Sequence, residues 1–169
     1  MPARRAVGQT VPMSADAPPV SIVRSAPKSA DVVGLAVGES GAAPRQLGLN
    51  RAAMESLGFT GSVGQTLVVP AKDGPVTIAV GVGDGPSTSQ LRDAAAAFAR
   101  AAGSAASLAT NLADGADPAS AAQAVVEGVL LARYRFVGEK NDRSIAHPVD
   151  ALALIVGAKG DKAAAKGVE

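Results

Sequence analysis

The chain predicts an α/β sandwich in which helices cover a largely parallel or mixed sheet. Three observations lead there. Strand-like and amphipathic helix-like segments alternate through the second half of the sequence. The stretch from Asp31 to Val37 is nearly all apolar, as a strand buried on both faces requires. Finally, AAQAVVEGVLLARYRF at Ala121 to Phe136 reads as the best-patterned helix: Val125, Val129, Ala132 and Phe136 recur at intervals of four, three and four, with Val126 and Leu130 beside them. Such a stripe packs on a sheet.

Each element has local support. Residues 1 to 19 hold Pro2, Pro12, Pro18 and Pro19 without a sustained apolar period, and read as a disordered leader. Val20 to Val23 and Asp31 to Val37 follow as strands, and Gly38 to Pro44 breaks the chain. Asn50 is placed to cap a short helix through Leu57, with Gly58 in the position where helices commonly end. Gln65 to Val69 and Val76 to Val82 are two further strands, divided by the turn formers Asp73, Gly74 and Pro75; a hairpin is open to them, but the loop does not fix their direction. Ser87 and Gln90 have the spacing of a capping box, opening a helix with the core line Leu91, Ala95, Phe98 and Ala102 and closing at Gly103. A strand from about Ala105 to Leu112 precedes the Asp117-Pro118 start of the long helix, where a capping carboxylate stands before a proline suited to the first turn. Ala151 to Val156 is the last strand, and the tail beyond reads as a linker or a new helix.

Composition narrows the class. With 169 residues, one domain with one core is the expectation. Aromatics are only 2% of the chain, so the core is built from Val, Leu, Ile and many Ala, whose small side chains imply thin layers. Sixteen basic and fifteen acidic groups leave a net charge of +1 without a basic block, which argues against a dedicated nucleic-acid binder. There is no cysteine, hence no disulfide and no thiolate chemistry, which fits a reducing compartment. No apolar run approaches the length of about 18 residues that a membrane span needs. Arg4 and Arg5 suggest a twin-arginine signal, yet Gln9, Thr10 and Pro12 interrupt the apolar stretch it requires.

Four places merit a chemical reading. Gly81, Gly83, Gly85 and Ser87 follow a buried strand and open a helix, where backbone amides cradle phosphates in nucleotide sites. Pro86 replaces the third glycine of a dinucleotide fingerprint and Asp84 adds a repelling carboxylate, so a structural turn is the competing reading. His147, the only histidine, is a candidate base, but it lies before Pro148 in a loop with Asp142 and Asp150 as its nearest acids and no nucleophile motif. The acids, among them Glu39, Glu55, Asp93, Asp114, Glu127 and Glu139, are scattered instead of grouped as a two-metal site needs. Glu127 has Arg133 and Arg135 as candidate partners around the helix end. Arg133, Arg135, Lys140 and Arg143, interleaved with Tyr134 and Phe136, form a modest basic cluster that Glu127, Glu139 and Asp142 dilute.

Segments in a fixed order carry a resemblance. EGVLLARYRF at Glu127 to Phe136 resembles the end of a helix in the amino-terminal domain of the leucine (cytosol) aminopeptidases. Leu49 through Gly58, Phe59, Thr60 and Gly61 to Gly64 is similar to that domain's short helix and glycine-bearing turn, and TIAVGVGD at Thr77 to Asp84 to its central strand. The order extends over Val20 to Glu169.

The resemblance implies a macro-domain-like three-layer sandwich ahead of a larger catalytic domain. It implies, for a parent enzyme, hydrolysis of amino-terminal residues from peptides, two divalent ions (zinc, manganese or magnesium), a hexamer and a cytoplasmic location. The metal ligands and catalytic arginine belong to the later domain, whose NTDAEGR signature is absent from this sequence. No catalytic or metal residue is therefore assigned here, and no cofactor in this chain. The expected organisation is a leader over 1–19, a macro-like domain over 20–157 and the start of an interdomain linker or helix over 158–169. The alternative is a freestanding nucleotide or ADP-ribose module using Gly81, Gly83, Gly85 and Ser87.

Overall fold

The computed structural model describes residues 18–71, 73–115, 117–134 and 147–168. Most of the leader expected over 1–19 thus lies outside the described residues, as do Arg135, Phe136, Glu139, Lys140, Asp142 and Arg143. In chain order the elements are β1 (Val20–Val23), β2 (Val32–Val37), a 3-10 turn (Arg45–Leu47), α1 (Arg51–Ser56), β3 (Thr66–Val69), β4 (Val76–Gly81), α2 (Thr88–Ala101), β5 (Ser107–Thr110), α3 (Pro118–Arg133), β6 (Ala151–Ile155) and α4 (Asp161–Lys166). They form an α/β sandwich around a mixed sheet of six strands in the order β1-β6-β5-β2-β4-β3. Only the β3–β4 pair is antiparallel, closing the hairpin whose direction the loop left open.

β2 organises the sheet, pairing along all six residues with β4 and along Val32 to Gly34 with β5. Its side chains alternate between two cores, the period-two rule of a strand covered on both faces. Val32 joins Ile78, Val80, Leu108 and Leu152 under α2 and α3. Val33, Leu35 and Val37 face Leu47, Met54 and Phe59, contributed by the 3-10 turn, α1 and the residues after it. Three layers result, with α4 beside α3 over the first core through Ala164.

The caps predicted from sequence are formed. The Asn50 side chain accepts the Ala53 amide at 2.8 Å. Ser87 and Gln90 exchange side-chain and backbone bonds reciprocally, and the Asp117 carboxylate accepts the Ser120 amide and hydroxyl ahead of Pro118. Gly58 and Gly103 close α1 and α2 with positive φ.

Alanines set the distance between α2 and α3. Ala94, Ala95, Phe98 and Ala99 face Ala121, Ala122, Val125 and Val129, all buried. At Gly128 the helices approach so closely that a Cβ would collide with the Arg92 carbonyl oxygen and stand 2.9 Å from the Ala95 methyl. Phe98, fully buried, needs space of its own: a Cβ at Gly34 would lie 2.7 Å from its ring. The one aromatic side chain of α2 therefore sits over a gap in β2.

Two expectations need correction. Helix α3 ends at Arg133, not Phe136, because Tyr134 turns to ψ 125°. Arg133 holds that end down: Nε donates to the Ala99 carbonyl at 2.8 Å, Nη2 to Ala105 at 3.1 Å and Nη1 to His147 at 3.0 Å. Partial burial of its guanidinium lowers its pKa. The strand expected over Ala105 to Leu112 shortens to Ser107–Thr110. At its start Ala105 bonds back to Ala102 while the Asp31 carboxylate takes the Ala106 and Ser107 amides; at its end the Leu112 amide turns to the Thr110 hydroxyl.

The ionic partner of Glu127 also differs from the expectation. Arg133 is turned to backbone carbonyls, Arg135 lies outside the described residues, and it is Arg92, across the α2–α3 seam, that donates to the Glu127 carboxylate through Nε at 2.9 Å and Nη2 at 2.7 Å, while Gln123 donates from the same helix at 2.9 Å. The Gln123 and Arg92 hydrogen bonds hold the Glu127 pKa below its ordinary value of 4.5. A depressed acid pKa stabilises the fold above the unfolded value, and that contribution disappears as pH falls through the folded one.

Two outcomes follow. Gly128→Ala will lower stability by about 2 kcal/mol, the range of overpacked cores, as read from the urea midpoint at unchanged m-value. Glu127→Gln will lower the melting temperature at pH 7, and the gap to the parent chain will narrow as the pH falls below the ordinary carboxylate range.

Candidate functional site

The carboxyl ends of β2, β4 and β5 face the first turns of α2 and α3, the place where open α/β sheets build ligand sites. One wall is the loop from Gly81 to Ser87. Its amides are largely engaged in the fold. Gly81 donates to Gln65 at 2.8 Å, Val82 to Val37 at 3.0 Å, Gly83 to Gly61 at 2.9 Å, and Ser87 to the Gln90 side chain at 2.9 Å. Gly83 and Gly85 take positive φ, of 68° and 64°, which is why glycine stands there. Gly81 is needed for space: a Cβ would strike the Ser62 carbonyl oxygen.

Asp84 turns away from the helix start. Its Oδ1 accepts the Ser40 amide at 3.1 Å, and hydrogen bonds from Ser40 lower its pKa. A negative charge is thereby fixed in the loop. Behind it, one guanidinium collects the neighbouring carbonyls: Arg51 Nη1 donates to Gly38 at 3.0 Å and Thr60 at 3.3 Å, and Nη2 to Ser40 and Gly41, each at 3.1 Å. Gln65 does the complementary task, its Oε1 accepting the Thr60 and Gly61 amides at 2.8 and 3.1 Å. Neither Arg51 nor Gln65 has a motif that exposes its role in sequence, since each is defined by backbone atoms that only the fold assembles.

Between the two helix starts lies a cleft of about 430 Å³, bordered by Ala36, Val82, Leu91, Leu112 and Ala121, with Thr88, Asn111, Asp114 and Asp117 as polar groups. Of the four loop residues considered for nucleotide binding, only Gly85 lines it. Asn111 is held by the Ala36 amide, which donates to its Oδ1 at 2.7 Å. Asp114 accepts the Gly157 amide at 3.0 Å, and Asp117 has its pKa lowered by the Ser120 hydroxyl and amide.

His147 stands elsewhere, in a separate depression of about 530 Å³ with Arg100, Gly103, Ser104 and Arg133. Its backbone carbonyl serves Arg133. Arg133 itself is turned into the fold, while Tyr134 is 67% exposed, so the part of the basic cluster that is described does not act as one surface. Among the described residues no three His, Asp or Glu side chains converge as metal ligands. No described helix is long and apolar enough to cross a membrane.

Fold and site together define an α/β sandwich domain with a braced glycine loop and a small cleft at the strand ends. The chain belongs to the cytosol aminopeptidase family: residues 45–143 match the model of that family's N-terminal domain. It is 36% identical over 137 residues to a probable cytosol aminopeptidase of Streptomyces avermitilis, a match covering 70% of this chain and 26% of that protein. Among solved structures it is similar to the bottromycin maturation enzyme BotP in complex with Mn, with 31% identity, a TM-score of 0.61, and coverage of 83% of this chain and 29% of that one. A tomato leucine aminopeptidase mutant shares the fold at 20% identity and a TM-score of 0.61, over 90% of this chain and 36% of its own. The chain thus spans about a quarter to a third of the length of these relatives.

Arg51→Lys will destabilise the domain by about 1 to 3 kcal/mol, since a lysine ammonium cannot span four carbonyls from one planar fork. Hydrogen exchange will locate the loss at residues 38–41 and 60–65; uniform protection there would refute the bracing role.

Proposed function

We propose that this chain is the non-catalytic, architectural N-terminal domain of a metal-dependent leucyl aminopeptidase that removes amino-terminal residues from peptides. Residues 20–157 form its macro-like body, and 158–169 begin the connection to a catalytic domain. The observation that carries the reading is the match of residues 45–143 to the N-terminal, and not the catalytic, portion of the family. The internal use of Arg51, Asp84, Arg92, Glu127 and Arg133 by the fold supports it.

In that parent, two divalent ions of zinc, manganese or magnesium would activate water and polarise the peptide carbonyl. Their ligands lie in the catalytic domain, and manganese is supported by the BotP complex. The parent is a cytoplasmic hexamer in this reading, its peptide substrate meeting only the catalytic domain. The residues of this chain supply shape: the α2–α3 seam fixes the core, and Arg133 fixes where α3 ends. The alternative of a nucleotide or ADP-ribose module is less well supported, because the amides of Gly81, Gly83 and Ser87 are bonded within the fold and Asp84 places negative charge beside them.

The test uses the chain as it stands, with manganese and a leucyl anilide. No metal-dependent turnover is expected from the 169 residues alone. Fusion to the downstream portion of the Streptomyces avermitilis relative is expected to give turnover that EDTA abolishes. Turnover by the unfused chain would overturn the assignment.

A further inference from the structure

The sequence carries one reactive dipeptide at three places: Asp73-Gly74, Asp84-Gly85 and Asp114-Gly115. Proline follows the first two, so their local sequence is Asp-Gly-Pro in both. An aspartyl-glycine pair closes a five-membered succinimide more readily than other aspartyl pairs, because glycine has no side chain to hinder the approach of its amide nitrogen to the aspartate Cγ. Closure needs a free amide, a carboxyl group without other partners and a backbone able to rotate.

The fold separates the three pairs. At Asp84, Oδ1 accepts the Ser40 amide at 3.1 Å, and a Cβ at Gly38 would stand 2.8 Å from the same oxygen. Hydrogen bonds from Ser40 lower the Asp84 pKa and keep the carboxyl ionised, which is the poorer electrophile. Gly38 and Ser40 are held in turn by Arg51 through their carbonyls. At Asp114, Oδ1 accepts the Gly157 amide at 3.0 Å while the Gly115 amide donates to the Ala113 carbonyl at 3.1 Å, so both reacting groups are occupied. Asp73-Gly74 differs on each point. Both residues are exposed, in the turn between β3 and β4 and outside both cores. Among the described residues, none donates to the Asp73 carboxylate and none accepts the Gly74 amide. Gly74 has a φ of 99°, and no atom lies within 4 Å of the place its Cβ would occupy.

We propose that Asp73 isomerises spontaneously to isoaspartate in the folded domain, whereas Asp84 and Asp114, each with the same glycine neighbour, are protected by the fold. The Gly74 nitrogen attacks the Asp73 Cγ; a nitrogen–carbon bond forms, and the carboxyl hydroxyl leaves with the amide proton as water. Water then adds to a ring carbonyl. Opening at the α-carbonyl breaks its bond to the Gly74 nitrogen, leaving the chain running through the Asp73 side chain and restoring the original mass. Nothing is oxidised or reduced, and no co-reactant other than water is used. The product bears a free α-carboxylate, the group accepted by methyltransferases that act on isoaspartyl carboxylates with S-adenosylmethionine. The extra main-chain carbon falls outside both cores, so the domain keeps its fold. The inference concerns the main chain of this domain alone and is independent of the architectural reading.

The test ages the full 169-residue chain at neutral pH, folded and, in parallel, unfolded in guanidinium. Digestion with an endoproteinase that cuts before aspartate but not before isoaspartate reads each site separately. In the folded chain, cleavage before Asp73 will be lost at nearly the unfolded rate. Loss at Asp84 and Asp114 will be slower than in the unfolded chain by about tenfold or more, since each must first open locally. The aged folded chain will also accept methyl groups from S-adenosylmethionine and an isoaspartyl methyltransferase. Asp73→Glu, whose longer side chain would have to close a six-membered ring, will abolish that acceptance. Retention of cleavage before Asp73 in the aged folded chain would overturn the proposal, as would loss at Asp84 or Asp114 as fast as at Asp73, or methyl acceptance undiminished in a folded Asp73→Glu chain. The comparison of folded with unfolded chain needs no substitution, so a variant that fails to fold leaves the test decisive. Peptidase activity enters none of these readouts, so their failure is distinct from a failure of the architectural assignment.

Discussion

The close approach of α2 and α3 is the constraint on which the molecule depends. A sheet with two helices over one face usually relies on bulky side chains to fill the space between layers, but three phenylalanines and one tyrosine are all the aromatics available. The alternative is to remove the space. Buried alanines line both helices, and Gly128 admits the Arg92 carbonyl where any side chain would intrude. Dense packing then compensates for small residues, because dispersion is gained at short range and lost across gaps. The Arg92–Glu127 pair lies over the same seam and adds register more than energy, since both side chains remain more than a third exposed.

The seam also determines what lies at the sheet ends. With α2 and α3 locked together, their first turns stand at a fixed separation over β2, β4 and β5, and the cleft between them is a product of that spacing. The opposite end is fixed by Arg133, which draws together the end of α2, the start of β5 and the segment before β6. One end of the helical layer is therefore closed by a guanidinium while the other stays open between two capped helix starts.

Much of this was legible in the sequence, and the reason lies in range. Caps such as Asn50, the Ser87–Gln90 box and Asp117 act within three residues, so their chemistry is visible locally. The two-faced burial of β2 was readable because an unbroken apolar run has few other uses. What was missed acts across the chain: Glu127 meets Arg92, 35 residues away, while Arg133 of its own helix turns to backbone carbonyls, and Asn111 meets the Ala36 amide from 75 residues away. The glycine loop shows the same division. Its position between a strand and a helix suggested amides free for a phosphate, but whether they are free depends on Gln65, Val37 and Gly61, which sequence order cannot bring into view.

The bracing behind that loop bears on how the domain tolerates change over time. Gly61 lies against the Gly38 carbonyl, Gly81 against that of Ser62 and Gly38 against Asp84 and Gly83, while Arg51 donates to that same Gly38 oxygen. Surface loops ordinarily absorb insertions and drift in length among related proteins. Here, a residue added next to any of the three glycines would displace the other two segments as well. Change in length is thereby channelled to the opposite end of the sheet, as in the turn between β3 and β4, where no atom stands within 4 Å of the place a Cβ at Gly74 would occupy.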